Sequence, residues 1–175
     1  MVHGSAFPLI AAACMLLAGC TPTAPVELTA GDRLPSAISA RVGVAAEPQL
    51  VWVLSEQDCL SCTAGLAAAV VRRMQQRFGD GLRTTLLLIG TDSVMVRNVL
   101  ERERVRAVIS LIPSDAHASL GLTPLLLVTH QDRIVSVARL GSDALAVRAH
   151  GERLEESLSS VLGGSPLHPP TQELP

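Results

Sequence analysis

The sequence of 175 residues has no lysine and no tyrosine, and its aromatic rings are two phenylalanines and one tryptophan. All 14 basic residues are arginine, never clustered beyond the pair Arg72-Arg73, and the net charge is −2. That balance excludes a strongly basic nucleic-acid binder, and so few rings leave little for bases to stack on. No nucleic acid is expected as a partner. The missing lysine by itself points to no function. Cysteine is scarce as well: Cys14 and Cys20 fall near the start, Cys59 and Cys62 in the presumed folded domain. One in-domain pair excludes a disulfide-stapled miniature fold, so the pair is read as chemistry before scaffolding. Long apolar runs are missing too, since the stretch 7–18 is too short to span a bilayer as a helix. What remains is a chain of one-domain length with 48% hydrophobic residues, too apolar for disorder.

The stretch 7–18 has signal-peptide length and ends in Leu17-Ala18-Gly19-Cys20. This resembles the lipobox of bacterial lipoproteins, whose leader is cut before a cysteine that is then acylated. Ala18 and Gly19 are small enough for a peptidase to approach the backbone, and Cys20 supplies the thiol. Two or more acyl chains would anchor the protein stably. The resemblance implies a signal peptide over 1–19 and lipidation at Cys20. It also implies an extracytoplasmic protein tethered to a bacterial membrane, facing the periplasm or the cell exterior. One departure is that residues 1–7 hold no Lys or Arg, only His3; in plain secretion Cys20 would be a bystander. Thr21, where the pattern for inner-membrane retention has Asp, favours the outer membrane in a diderm host.

Residues 20–47 are rich in Pro, Thr, Ala and Gly and read as a tether holding the domain off the membrane. Ile38, Ala40, Val42 and Val44 alternate and predict a possible first strand there. Residues 163–175, with Pro166, Pro169, Pro170 and Pro175, read as a loose tail. The domain is expected over 48–162. Leu50-Val51-Trp52-Val53-Leu54 predicts a strand buried on both faces, with Trp52 in the core. The polar turn Ser55-Glu56-Gln57-Asp58 follows, then Cys59. From 61 onward the pattern is helical, with Leu66, Val70, Met74 and Phe78 on one face and Gly79 and Gly81 as terminators. A strand is predicted over 84–89 and a helix from Ser93 to about 104. Residues 105–112 fit either a strand or a helix end with an extended exit, and 114–120 a short helix. Pro124 opens a strand, Gln131-Asp132 turns into a second over 134–140, and 143–162 closes the domain as a helix. Its predicted face is Ala144, Val147, Leu154, Leu158 and Val161, interrupted by Gly151. Strand, helix and strand followed by hairpin and helix imply a mixed sheet covered on both faces.

A strand, a polar turn, Cys59-Leu60-Ser61-Cys62 at a helix start, and later Thr123-Pro124 opening a strand together resemble thioredoxin-like oxidoreductases. The resemblance covers roughly 50–162. It implies a three-layer α/β/α fold with Cys59 attacking and Cys62 resolving, and with Thr123 and a cis Pro124 binding an extended protein substrate. The physics agrees: a helix N-terminus offers N–H groups and the positive end of a dipole to a thiolate. No metal and no cofactor beyond the Cys59–Cys62 disulfide is implied. Other readings of the pair are a static disulfide, or half a zinc site completed by His117 and His130.

Asp58 stands where the family usually has Trp, Leu60-Ser61 where Gly-Pro is familiar, and no acid lies within 50–54. These departures favour a dedicated partner over general thioredoxin activity. Glu56 and Asp58 would raise the Cys59 pKa and make the dithiol more reducing. The expected function is therefore a membrane-tethered thiol–disulfide oxidoreductase for exported proteins, a reductase or isomerase before an oxidase. The alternatives are a copper-handling protein of the same fold, although that class spaces its cysteines by three residues, or a non-catalytic lipoprotein with a structural disulfide. A peroxiredoxin is disfavoured because Glu56 occupies the Thr of its Thr-x-x-Cys pattern.

Overall fold

The computed structural model describes residues 27–55, 58, 63–90, 93–113, 123–141 and 143–163. The predicted signal peptide, Cys20, the short helix expected over 114–120, His117 and the tail beyond Gly163 lie outside the described residues.

The central strand is β1 (Gln49–Ser55), buried at every position as the apolar run predicts. It sits in the middle of a five-stranded sheet of order β3-β2-β1-β4-β5, with β2 (Arg83–Ile89), β3 (Val108–Ile112), β4 (Leu125–His130) and β5 (Arg133–Arg139). β1, β2 and β3 run parallel, because each step between them is a helical crossover. The crossovers are α2 (Thr63–Phe78) and α3 (Ser93–Glu103). β4 lies antiparallel to both β1 and β5. The β4–β5 turn is two residues long, Gln131 and Asp132, with φ of 50° and 66°; such left-handed pairs match the twist of a hairpin.

Alternation along β1 splits the core. Leu50, Trp52 and Leu54 join Leu86, Leu88, Leu126 and Val128 under α2, α3 and the closing helix α4 (Ala144–Val161). Val51 and Val53 join Leu87, Ile89, Leu125 and Leu127 on the other face, beneath Leu28, Leu34, Ile38 and Val42. The result is the expected three-layer arrangement. No helix among the described residues is long and apolar enough to cross a membrane.

Four expectations need correction. The strand anticipated through Ile38, Ala40, Val42 and Val44 is instead helix α1 (Ser36–Val42). Ile38 and Val42 are buried while Val44 is 70% exposed. The two buried residues are four apart, a spacing that a helix face satisfies as well as alternation does. Pro35 precedes the helix, and Gly43 ends it with φ 73°.

The second half of the segment expected as a tether over 20–47 belongs to the domain instead. From Leu28 onward the chain is packed: Gly31 N–H bonds Ile134 C=O, and Leu34 N–H bonds Asp132 C=O. This segment lines β5, with an antiparallel bridge between Arg33 and Arg133.

The sheet-facing side of α2 is Ala64, Ala67, Ala68, Val71 and Met74. Leu66 and Val70 turn sideways toward α4, where they line a groove with Val147 and Gly151. Counting large side chains missed a face built mainly of alanine.

In α4, Gly151 does not interrupt the face but belongs to it, buried with Val147, Leu154, Glu155 and Leu158. A Cβ on Gly151 would lie 3.3 Å from Val70 Cγ1, so glycine lets α2 and α4 approach. Ala144 is exposed and Val161 half-buried.

Candidate active site

β1 delivers Ser55 to one end of the sheet, where it is buried. Its N–H donates to Asp58 Oδ2 at 2.6 Å and its hydroxyl to the same oxygen at 3.2 Å. Asp58 N–H returns a bond to Ser55 C=O at 3.1 Å. The turn that leaves the central strand is thus closed by the carboxylate of the residue just before Cys59.

Across the sheet, Val53 pairs with Leu125; extending that register by two residues sets Thr123 opposite Ser55. The two hydroxyls meet, Ser55 Oγ to Thr123 Oγ1 at 2.9 Å. The Thr123–Pro124 peptide bond is cis, the isomer implied by the resemblance. Pro124 is buried, and its C=O accepts from Leu140 N–H at 3.0 Å, which ties the start of β4 to the end of β5. On the other side of the turn, α2 is described from Thr63, with no acidic residue in its first turn. Glu56, Cys59 and Cys62 lie outside the described residues. The chain order sets both cysteines in the four-residue interval between Asp58 and Thr63.

Neither a protein-family model nor a curated protein matches the sequence. Solved structures do match the fold. A protein assigned as a thiol:disulfide interchange protein DsbE from Chlorobium tepidum superposes with a TM-score of 0.53 at 12% identity, covering 78% of this chain and 100% of that one. The thioredoxin domain of a thiol-disulfide oxidoreductase from Bacteroides vulgatus gives 0.50 at 13% identity, covering 73% and 99%. The chain has the thioredoxin fold.

Within this thioredoxin-like sheet the predicted residues Asp58, Thr123 and Pro124 converge on one end of β1. His130 does not join them. It ends β4, one residue past the Thr129–Gln49 pair at the start of β1, so it stands at the opposite end of the sheet from Asp58 and Thr123. Among the described residues no group of three or more His, Cys, Asp or Glu side chains could hold a metal ion. Trp52 is fully buried in the core. Sequence reasoning missed Ser55; its only signal was a small polar residue three positions before an aspartate. It also missed Glu155, a buried carboxylate of α4 held by Arg73 at 2.6 Å and Arg77 at 2.8 Å from α2.

Proposed function

We propose that this thioredoxin-like chain is an extracytoplasmic thiol–disulfide oxidoreductase, tethered to a membrane through Cys20, that reduces or isomerises disulfides of exported proteins with Cys59 and Cys62. The observation that carries the reading is that Asp58 and Thr123 both bond Ser55, the last residue of the central strand; in the sequence the Cys-x-x-Cys follows Asp58 directly and precedes Thr63 of α2.

In the reductive direction the Cys59 thiolate attacks a client disulfide. A Cys59–client disulfide forms, the client's own S–S bond breaks, and the departing sulfur takes up a proton. The Cys62 thiolate then attacks the Cys59 sulfur and releases the second client thiol. The client gains two electrons, the chain is left as a Cys59–Cys62 disulfide, and an external dithiol must restore it. The N-terminus of α2 favours the Cys59 thiolate. Pro124 has no N–H, which leaves the Thr123 backbone to pair with an extended client as an added strand. Asp58, charged and adjoining the attacking cysteine, opposes the thiolate and supports a reducing couple.

The test is trapping. In membranes containing the full chain, Cys62→Ser is expected to accumulate mixed disulfides that Cys59→Ser lacks, and Cys59 is expected to alkylate well before Cys62. Equal, slow alkylation with no trapped client overturns the redox reading. Cys20→Ala is expected to release an intact domain from the membrane fraction, and retention there overturns the anchor. Equilibration with glutathione giving a strongly oxidising couple would make the chain an oxidase.

A further inference from the structure

We propose that Ser55 is a positioning residue that couples the turn carrying the nucleophile to the segment that binds the client; this rests on the redox reading of Cys59 given above. Ser55 is 1% exposed and touches both partners at once, Asp58 through backbone and hydroxyl and Thr123 through the hydroxyl alone. Asp58 is covalently next to Cys59, and Thr123 precedes the cis proline. These parts lie 68 residues apart from strand end to proline loop, and the hydroxyl of Ser55 closes the gap.

Proton direction makes the coupling one-way. An ionised carboxylate only accepts, so the Ser55 O–H points at Asp58 Oδ2. The Ser55 oxygen then presents lone pairs to Thr123, whose hydroxyl must donate. The chain reads Thr123 to Ser55 to Asp58, and it ends on the charge beside the attacking sulfur. Each donor reinforces the next, with the buried Ser55 hydroxyl at the centre of the half-buried chain. With the hydroxyl in place, part of the Asp58 charge is spent on Ser55 and the Thr123 side chain is held against the strand end. With it removed, the carboxylate loses a donor and Thr123 loses its acceptor.

The turn itself survives that loss. Ser55→Ala keeps the backbone bond to Asp58 Oδ2 at 2.6 Å and the return bond from Asp58 N–H at 3.1 Å. The substitution therefore separates coupling from folding. Two effects are expected. The half-saturating concentration of a peptide client rises about five-fold, the scale of one lost hydrogen bond. The Cys59 alkylation profile moves to higher pH, because a carboxylate with fewer donors opposes the thiolate more strongly.

The experiment uses the reduced full chain and a fluorophore–quencher peptide disulfide, with an aromatic small-molecule disulfide as the control that has no backbone to pair with Thr123. Ser55→Ala, Thr123→Val and the double variant are compared, and Ser55→Thr restores a hydroxyl. Coupling predicts that the double variant is no worse than either single one for the peptide. It also predicts that Ser55→Thr recovers most of the parent value and that the half-saturating effect is missing for the small disulfide. Additive losses, or an alkylation profile and half-saturating concentration unchanged in Ser55→Ala, overturn the proposal. If Ser55→Ala fails to fold, Thr123→Val with a half-buried side chain carries the same comparison, and an unchanged half-saturating concentration there overturns it as well. A parent that exchanges with neither disulfide defeats the redox reading instead, so the two failures are distinct.

Discussion

Two carboxylate knots in this molecule, one buried at Glu155 and one half-buried at Asp58, use similar chemistry for different ends. Glu155 receives Arg73 and Arg77, which come from one helix and bind another. Asp58 receives Ser55, which in turn meets Thr123. The first knot joins two rigid elements along the α2–α4 seam; the second joins a strand end, a turn and a proline loop at the edge of the candidate site. The difference teaches where a polar group supports the fold and where it sets geometry for reaction. Changes along the seam should cost stability and leave client exchange alone.

The largest expected effect along the seam is Gly151→Leu. Its side chain would enter the space of Val70, already 3.3 Å from a bare Cβ, and forced overpacking costs up to ~3 kcal/mol. Denaturant unfolding should show a lower midpoint at an unchanged exchange rate. Glu155→Ala comes next, at about 1.5 kcal/mol for the lost charged hydrogen bonds. The figure sits at the low end because Arg73 and Arg77 are 52% and 42% exposed and can turn to water. Slowed exchange in this variant at full stability would break the comparison. Asp143→Ala removes the cap that accepts Leu145 N–H at 2.9 Å; about 1 kcal/mol is expected, read from thermal unfolding.

The smallest effect concerns pH. His150 is held below its ordinary value of 6.5, first by partial desolvation and then by the Arg153 charge. The unfolded chain therefore takes up the proton first, and this contribution to stability is lost as pH falls from the ordinary value toward the folded one. Unfolding midpoints measured across that window should flatten slightly in His150→Gln.

Much of this was legible because it depends on strong, local patterns. The run through Trp52 could only be a doubly covered strand, and Gln131-Asp132 between apolar runs reads as a hairpin. The Thr123-Pro124 pair was legible through resemblance, not through its own chemistry. Alanine faces are different. Ala64, Ala67 and Ala68 bury little area each, so the periodicity of larger neighbours set the predicted face of α2 wrongly. Gly151 read as a flaw because its role depends on Val70, far away in sequence. Ser55 was hidden for a related reason: a serine in a polar turn is ordinary until the register of β1 against β4 brings Thr123 opposite it.

The path by which the chain enters the fold has a consequence of scale. Glu27 is bound to Arg139 at 2.8 Å, and Arg139 pairs with Leu125, which pairs with Val53. The first described residue therefore stands at the same end of the sheet as Asp58 and Thr123. Its segment lies outside β5, so three strand spacings separate it from β1, roughly 15 Å. From Cys20 to Glu27 the chain can extend about 25 Å at most. A lipid on Cys20 would then act as a short leash fastened beside the dithiol rather than behind it. With that anchor the working volume would be a thin shell, Cys59 would stay within roughly 40 Å of the bilayer, and a client cysteine would have to come into that layer to be reached.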